Sequence, residues 1–432
     1  MSTLPDSEIM TESSLRPCNV AILGFGNVGR SVADILCHRV SPRLRLTHIF
    51  NRGVGRKRVS WMPPHVHWTE DIEDIVSSDA DIVVEVLGGL DPAEQWIRRL
   101  LESGKSVVTA NKQLIAKSGP ELQELAQKHG QQLEFGASVA GGIPVLLALQ
   151  QGLAGDVIFK VTGILNGTCN YILTKMEAAG ATFETALAEA QQFGFAEADP
   201  TDDVEGYDAR AKLAILARVG LHAQIRPEDI SCASIRPLGA ADFVYATKLD
   251  CTIRQVSRAE VEGRHVVAAV EPALVPVSSP LARVQGSQNL VIATGKYGGE
   301  TVLAGHGAGG HPTAVAVVSD VIAIARARSE DEGFFHHRRI TPSKITDDFT
   351  APRYVRFVVK DRPGIIARLS GTFAKHAINI DSVLQYPGYP KNELPFVITL
   401  EACGKSLLQE ALAEIKDEDF HVQPPLALPI LR

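Results

Sequence analysis

The stretch Asn19-Val-Ala-Ile-Leu-Gly24-Phe25-Gly26-Asn27-Val28-Gly29 decides how the first third of the chain is read. It places Gly-x-Gly-x-x-Gly directly after an apolar, β-rich run and directly before a helical stretch. In that setting Gly24 permits a tight turn, Gly26 lets backbone approach a pyrophosphate, and Gly29 lets the helix close on the strand. Phosphate charge then meets a helix N-terminus, where backbone N–H groups point outward. Such triads arise by chance in glycine-rich chains, but strand before and helix after predict a dinucleotide cradle over Gly24, Phe25, Gly26, Asn27, Val28 and Gly29.

Outward from this loop, short apolar runs at Val20 to Leu23, Leu44 to Phe50, Ile82 to Val86, Ser106 to Thr109 and Gln132 to Phe135 alternate with longer helical stretches. That alternation predicts a parallel α/β sheet, a Rossmann-like domain over residues 18–137 following a loose polar tail over 1–17. At the end of the second run, where a carboxylate usually holds the ribose hydroxyls of NAD, stand Asn51 and Arg52, with Arg56 and Lys57 nearby. No carboxylate there repels a 2′-phosphate, so Arg52 points to NADP, with NAD as the alternative; Arg56 and Lys57 read equally well as a solvated loop.

Past Ala137 the pattern changes to glycine-rich loops, a helical stretch near 182–219 and β-like runs at Val266 to Val270, Leu290 to Thr294 and Thr301 to Ala304. These predict an α+β domain over 138–328, whose last helical stretch, Ala314 to Ala327, packs back on the first domain. The charged run 329–352, broken by Gly333, Pro342 and Pro352, reads as a linker. Residues 353–432 then spell β-α-β-β-α-β, with Pro363 in the first helical turn, the order of a ferredoxin-like module.

Four further stretches carry chemistry: Val84-Glu-Val-Leu-Gly-Gly89, Thr109-Ala-Asn-Lys112, Gly163-Ile-Leu-Asn-Gly-Thr168, and the acidic run from Gly194 to Lys212. Asp208 and Lys212, four apart on a helix, share a face, and such pairs are mostly surface decoration. Against that reading, Glu197, Asp203 and Asp208 crowd among glycines and a proline, and Lys112 follows the carboxyl end of a predicted strand, where ligands of open α/β sheets collect.

These motifs, in this order from Asn19 to about Ala327, together with Gly307-Ala-Gly309 and Pro312-Thr-Ala314, closely resemble the homoserine dehydrogenase family. The resemblance implies NAD(P)-dependent interconversion of L-aspartate 4-semialdehyde and L-homoserine. Lys212 matches the family's proton donor to the aldehyde oxygen, and Lys112 a second lysine close to nicotinamide and substrate, where fixed charge stabilises a developing alkoxide. Glu197 and Asp208 match substrate-binding residues, with Asp203 a weaker candidate. Gly194 and Gly309 match backbone positions near the cofactor. The loop from Gly136 to Pro144 matches one whose carbonyls, here those of Val139, Gly141 and Ile143, hold a sodium ion, and 138–328 matches the family's catalytic and dimerisation domain. Asp361-Arg-Pro-Gly364 with Ile378 to Gln385 resembles an ACT domain, which implies an amino-acid effector, L-threonine in the family, and a homodimer or homotetramer; a ferredoxin-like module that only assists oligomerisation is the alternative.

Composition narrows the field independently. With 43 Lys+Arg against 50 Asp+Glu and no dense basic patch, nucleic acid is not an expected partner. No run is apolar for long enough to cross a bilayer. The six cysteines, at 18, 37, 169, 232, 251 and 403, show no Cys-x-x-Cys spacing and read as reduced thiols of a cytoplasmic protein. Cys169, within Asn166-Gly-Thr-Cys-Asn170, offers a thioester-forming nucleophile, against which stands the lack of a histidine in its motif. Two rivals remain: a Rossmann dehydrogenase for another amino-acid-derived aldehyde, and a catalytically silent amino-acid sensor. Lys212 and the acidic run disfavour both.

Overall fold

The computed structural model describes residues 17–38, 44–328, 341–342 and 344–431. Nearly all of the expected N-terminal tail, and the linker from 329 to 340 with 343, lie outside the described residues. Contacts divide the chain into two compact units, residues 1–142 with 309–337, and residues 143–308 with 338–432.

The first unit runs β1 (Cys18–Leu23), α1 (Asn27–His38), β2 (Leu44–Phe50), β3 (His67–Thr69), α2 (Ile72–Val76), β4 (Ile82–Glu85), α3 (Ala93–Glu102), β5 (Ser106–Thr109), α4 (Lys112–Lys128) and β6 (Leu133–Glu134). All six strands pair in parallel, in the order β3-β2-β1-β4-β5-β6. Val20 to Leu23 and Ile82 to Val84 are fully buried, as strands sandwiched between helix layers must be. Strand β3 was not anticipated from the sequence: at three residues it is too short for alternation to register. The strand order reverses at β1, so the crevice between the loops after β1 and β4 is a topological switch point.

The second unit begins with α5 (Val145–Leu147), β7 (Ile158–Ile164), α6 (Gly167–Ala179), α7 (Phe183–Gln192), α8 (Thr201–Val204), α9 (Tyr207–Gly220), β8 (Ala223–Gln224), β9 (Ser231–Cys232) and α10 (Ala240–Lys248). The hairpins β10 (Cys251–Glu262) with β11 (His265–Pro276), and β12 (Gln288–Gly295) with β13 (Gly299–His306), follow. The single helical stretch expected near 182–219 is three helices, because the largely exposed loop 193–200 and the turn at Glu205 and Gly206 interrupt it. The chain then returns to the first unit as α11 (Gly310–Ala327), which buries Ala314, Val317, Val318, Val321 and Ile324 in one cluster with Val20, Ile22 and Val32.

Back in the second unit, β14 (Thr341–Pro342) pairs with β8, and β15 (Lys344–Thr346) pairs with β11 at the end of the sheet β13-β12-β7-β10-β11-β15. Residues 341–342 and 344–346 of the expected linker therefore lie in paired strands. The final module is β16 (Ala351–Val359), α12 (Ile365–Lys375), β17 (Ile380–Gln385), β18 (Leu394–Cys403), α13 (Lys405–Ile415) and β19 (His421–Pro429), with the antiparallel order β17-β18-β16-β19 of a ferredoxin-like sheet. Its helices cover one face through Phe357, Leu369, Phe373, Leu408 and Ile415. Pro363 does not open α12 as expected: Gly364, at φ 99°, is the N-cap, and this left-handed turn leaves the proline ahead of the helix. Among the described residues no helix is long and apolar enough to cross a membrane.

Candidate active site

The glycine loop has the geometry its spacing demands. Gly24 sits at φ 105°, and a Cβ there would lie 3.0 Å from the Val86 carbonyl oxygen. A Cβ on Gly29 would fall 1.9 Å from the Gly24 carbonyl oxygen, so α1 approaches the loop as only glycine allows. At Gly26 nothing among the described residues beyond its own chain neighbours lies within 4 Å of a Cβ, so the open side of the turn has room for a ligand at the N-terminus of α1. The residues present fit a dinucleotide pyrophosphate.

Asn51 braces this loop: its Oδ1 accepts the Phe25 N–H at 3.0 Å and its Nδ2 donates to the Arg52 carbonyl at 2.6 Å. Arg52 is exposed at the carboxyl end of β2. Across the switch point, buried Glu85 accepts the Leu87 and Gly88 N–H groups at 2.7 and 3.2 Å and the Thr109 hydroxyl at 2.6 Å. Asn111 caps α4 through the Leu114 N–H and donates to the Gly89 carbonyl at 2.6 Å. Lys112 is the first residue of that helix, half-buried. Gly309, at φ 121°, is the N-cap of α11.

The second unit holds the acidic cluster. Gly206, at φ 84°, caps α9, which puts Asp208 in the first turn, where a helix N-terminus favours negative charge. Lys212 lies one turn on, its side chain 11% exposed against 6% for Asp208. The Lys212 ammonium donates to Asp208 Oδ2 at 2.7 Å and to the Leu165 carbonyl at 2.8 Å. Asn166 Nδ2 donates to the same Asp208 oxygen at 2.8 Å and to Asp203 Oδ1 at 2.5 Å. This is no surface pair: the lysine is aimed by two acceptors. Burial pushes the Asp203 carboxyl above its ordinary value, opposed by the Asn166 hydrogen bond and reinforced by the nearby Asp208 charge.

Lys212, Asp208 and Asp203 are thus brought together, whereas Glu197 stands exposed on the loop after α7 and makes no hydrogen bond through its carboxylate among the described residues. Gly194, at φ 73°, opens the same loop, and the Thr168 hydroxyl fastens it through the Phe195 carbonyl at 2.6 Å. Cys169 is buried, its Sγ 3.1 Å from the Asp203 carbonyl oxygen, and burial beside Asp203 and Asp208 holds the thiol well above its ordinary value. A buried thiol held in that direction is disfavoured as a thioester-forming nucleophile. Val139 and Ile143 are buried, and the Ile143 carbonyl accepts the Val145 N–H at 2.7 Å. His306 and His311 are exposed. Among the described residues no group of three or more His, Cys, Asp or Glu is placed to hold a metal ion.

Glu85, Thr109, Asn111 and Asn166 stand out individually only in the structure, although each lies in one of the motifs quoted from the sequence. Asn166 carried one local signal: an asparagine between a β-rich run and a helix is an N-cap pattern. Its bonds to carboxylates 37 and 42 residues away had none.

Comparison with known proteins agrees with this architecture. Residues 24–136 match the family model described as homoserine dehydrogenase, NAD binding domain, residues 144–322 the homoserine dehydrogenase model, and residues 353–420 the ACT domain. Homoserine dehydrogenase of Mycobacterium tuberculosis is 43% identical over 390 residues, 86% of this chain and 87% of that protein. That of Bacillus subtilis is 36% identical over 422 residues, 93% and 98% of the two chains. The crystal structure of a homoserine dehydrogenase from Thiobacillus denitrificans superposes with a TM-score of 0.89 at 31% identity, covering 96% of this chain and 98% of that one. A hyperthermophilic archaeal homoserine dehydrogenase in complex with NADPH superposes at 0.62 and 28% identity over 72% of this chain and 98% of that one. Identity of this extent, spread over nearly the whole length of both chains, reaches beyond a shared fold: the chain belongs to the homoserine dehydrogenase family, an oxidoreductase with a nicotinamide-binding domain and a C-terminal ACT domain.

Proposed function

We propose that the chain reduces L-aspartate 4-semialdehyde to L-homoserine with NADPH, and runs the reverse oxidation, with Lys212 as the acid and base. The observation that carries this reading is the buried chain of contacts Leu165 carbonyl, Lys212, Asp208, Asn166, Asp203. Two acceptors hold two N–H bonds of the Lys212 ammonium, and tetrahedral geometry then fixes the direction of the third, as delivery of a proton to one oxygen requires. Bound NADPH supplies the hydride to the aldehyde carbon. Lys212 gives its proton to the aldehyde oxygen as that charge develops, and takes it back in the oxidation direction. The Asp203 carboxylate, with the Glu197 carboxylate from the flanking loop, receives the substrate ammonium, and Lys112 steadies the developing alkoxide.

The open turn at Gly26 and the exposed Arg52 support NADP, whose 2′-phosphate the arginine pairs. The ACT module is assigned L-threonine as effector, and the carbonyls of Val139, Gly141 and Ile143 a sodium ion, both on the family resemblance, as is a homodimer or homotetramer. The experiment is homoserine oxidation followed at the nicotinamide absorbance, with NAD and NADP compared, threonine raised to millimolar levels, and sodium exchanged for potassium. Activity with a lower KM for NADP is expected, and a rate that falls with threonine. No homoserine oxidation would reject the substrate, a KM for NAD equal to or below that for NADP the cofactor preference, a flat threonine response the effector, and indifference to sodium the ion.

A further inference from the structure

One residue binds the acidic cluster together without carrying any charge. Asn166 is 3% exposed and stands between β7 and α6. Its side-chain oxygen accepts the Cys169 N–H at 2.8 Å, capping α6, while its single NH2 group gives one hydrogen to Asp203 and the other to Asp208. The neighbours dictate this orientation: turned over, the amide would set its oxygen against two carboxylates and its hydrogens against a backbone N–H. No other short side chain does all three. Serine and aspartate cap a helix as well but lack two donors, and glutamine is one methylene too long for the cap.

We propose that Asn166 is a positioning residue for the reaction: its amide sets the separation of Asp203 and Asp208 and, through the Asp208 oxygen it shares with Lys212, the direction of the Lys212 ammonium. The inference rests on the roles given above to Lys212 and Asp208. Two carboxylates in one partly buried pocket repel, and without a neutral donor between them they separate, or one takes up a proton. A lysine would supply hydrogens but also a charge that competes with Lys212 for Asp208. The neutral amide leaves that carboxylate to the catalytic lysine and keeps Asp203 ionised for an ammonium ligand. Asp203 is faced by Asp208 and Lys212 from α9, by Thr168 and Cys169 from α6, and by Gln255 from β10; of these, Asp208 favours its neutral form, and Thr168 and Lys212 its ionised form.

Asn166→Ser keeps the helix cap and deletes both bridging bonds; Asn166→Asp keeps the cap and adds a third carboxylate. Both are assayed for homoserine oxidation across pH, with thermal melting and NADP binding measured alongside. A one-ångström misplacement of reacting groups costs about a hundredfold, so kcat is expected to fall by about ten- to a hundredfold in each, with a raised KM for homoserine and unaltered NADP binding. The acid limb of kcat/KM is expected to move to higher pH in both, further in Asn166→Asp, because Asp203 loses its donor. A limb, kcat and KM that match the wild type, whatever the melting temperature, would leave Asn166 as a helix cap only and overturn the proposal. If Asn166→Ser fails to fold, the same readouts on Asn166→Asp decide. Lys212→Met and Asp208→Asn separate the two readings: if both keep wild-type turnover the proposed function of the cluster is wrong, whereas if both lose turnover and the Asn166 variants do not, this inference alone falls.

Discussion

At the scale of single residues, the chemistry depends on how few degrees of freedom Lys212 retains. Solvated i,i+4 pairs on a helix contribute about 0.3–0.5 kcal/mol and leave both side chains mobile. Here the same spacing yields a lysine whose side chain is 11% exposed and whose ammonium is held by a carboxylate and a carbonyl. Lys212→Met keeps the length of the side chain and removes the transferable proton. Turnover is expected to fall at least about a hundredfold in both directions, while NADPH binding, measured by nicotinamide fluorescence, stays near the wild-type value. Unaltered turnover would reject the acid role. Spacing placed Asp208 and Lys212 on one face, and the family resemblance implied Glu197 ahead of Asp203. The structure sets Asp203 inside the cluster and Glu197 on an exposed loop, because which carboxylate faces inward depends on how the segment 193–206 turns at its glycines.

At the scale of elements, α10 ties the ACT sheet to the helix that Asn166 caps. Asp242, fully buried, accepts the Gly239 N–H, the Tyr354 hydroxyl and the Arg356 guanidinium, each at 2.8 Å, while the Tyr245 hydroxyl donates to the Pro395 carbonyl at 2.9 Å. Tyr354, Val397 and Leu428 of the ACT sheet share one apolar cluster with Ile172, Leu173 and Met176 of α6, the helix that Asn166 caps. Asp242→Ala strands a buried guanidinium and is expected to destabilise the second unit by about 3–5 kcal/mol, read by urea unfolding. Replacing both partners, Asp242→Leu with Arg356→Met, is expected to recover most of that loss. Equal destabilisation in the single and double variants would show that the pair is not what secures this contact. No sequence pattern announced the node, since Asp242 and Arg356 are 114 residues apart and each reads alone as an ordinary surface charge.

At the scale of the whole molecule, stability carries a pH dependence from one half-buried pair of carboxyls in the first unit. Burial, together with the Asp320 charge, raises Glu134 to about 8, and burial raises Asp320 to about 7 against the pull of the Gly136 N–H it accepts at 2.8 Å. Both carboxyls therefore bind protons more tightly folded than unfolded. Their contribution is complete below the unfolded values of 4.5 and 3.8 and is lost as pH rises through about 7 to 8. The melting temperature is expected to fall between pH 5.5 and 8.5 more steeply in the wild type than in Glu134→Gln combined with Asp320→Asn. Parallel slopes would assign the pH dependence to other groups.

What the amino-acid order determined alone is whatever depends on local periodicity and on glycine: the cradle at Gly24 to Gly29, five of the six parallel strands, the β-α-β-β-α-β order of the C-terminal module, and the helical spacing of Asp208 and Lys212. These are short-range consequences of backbone sterics and of hydrophobic repeats of 2 and 3.6 residues. Only the tertiary structure decided that β15 lengthens the second sheet, that Asp203 rather than Glu197 joins Lys212, and that Asn166 and Asp242 each gather distant partners. Those outcomes are set by side chains meeting across dozens of residues, where burial converts an ordinary polar group into one that must find a partner, and no pattern within a window of sequence records which partner it finds.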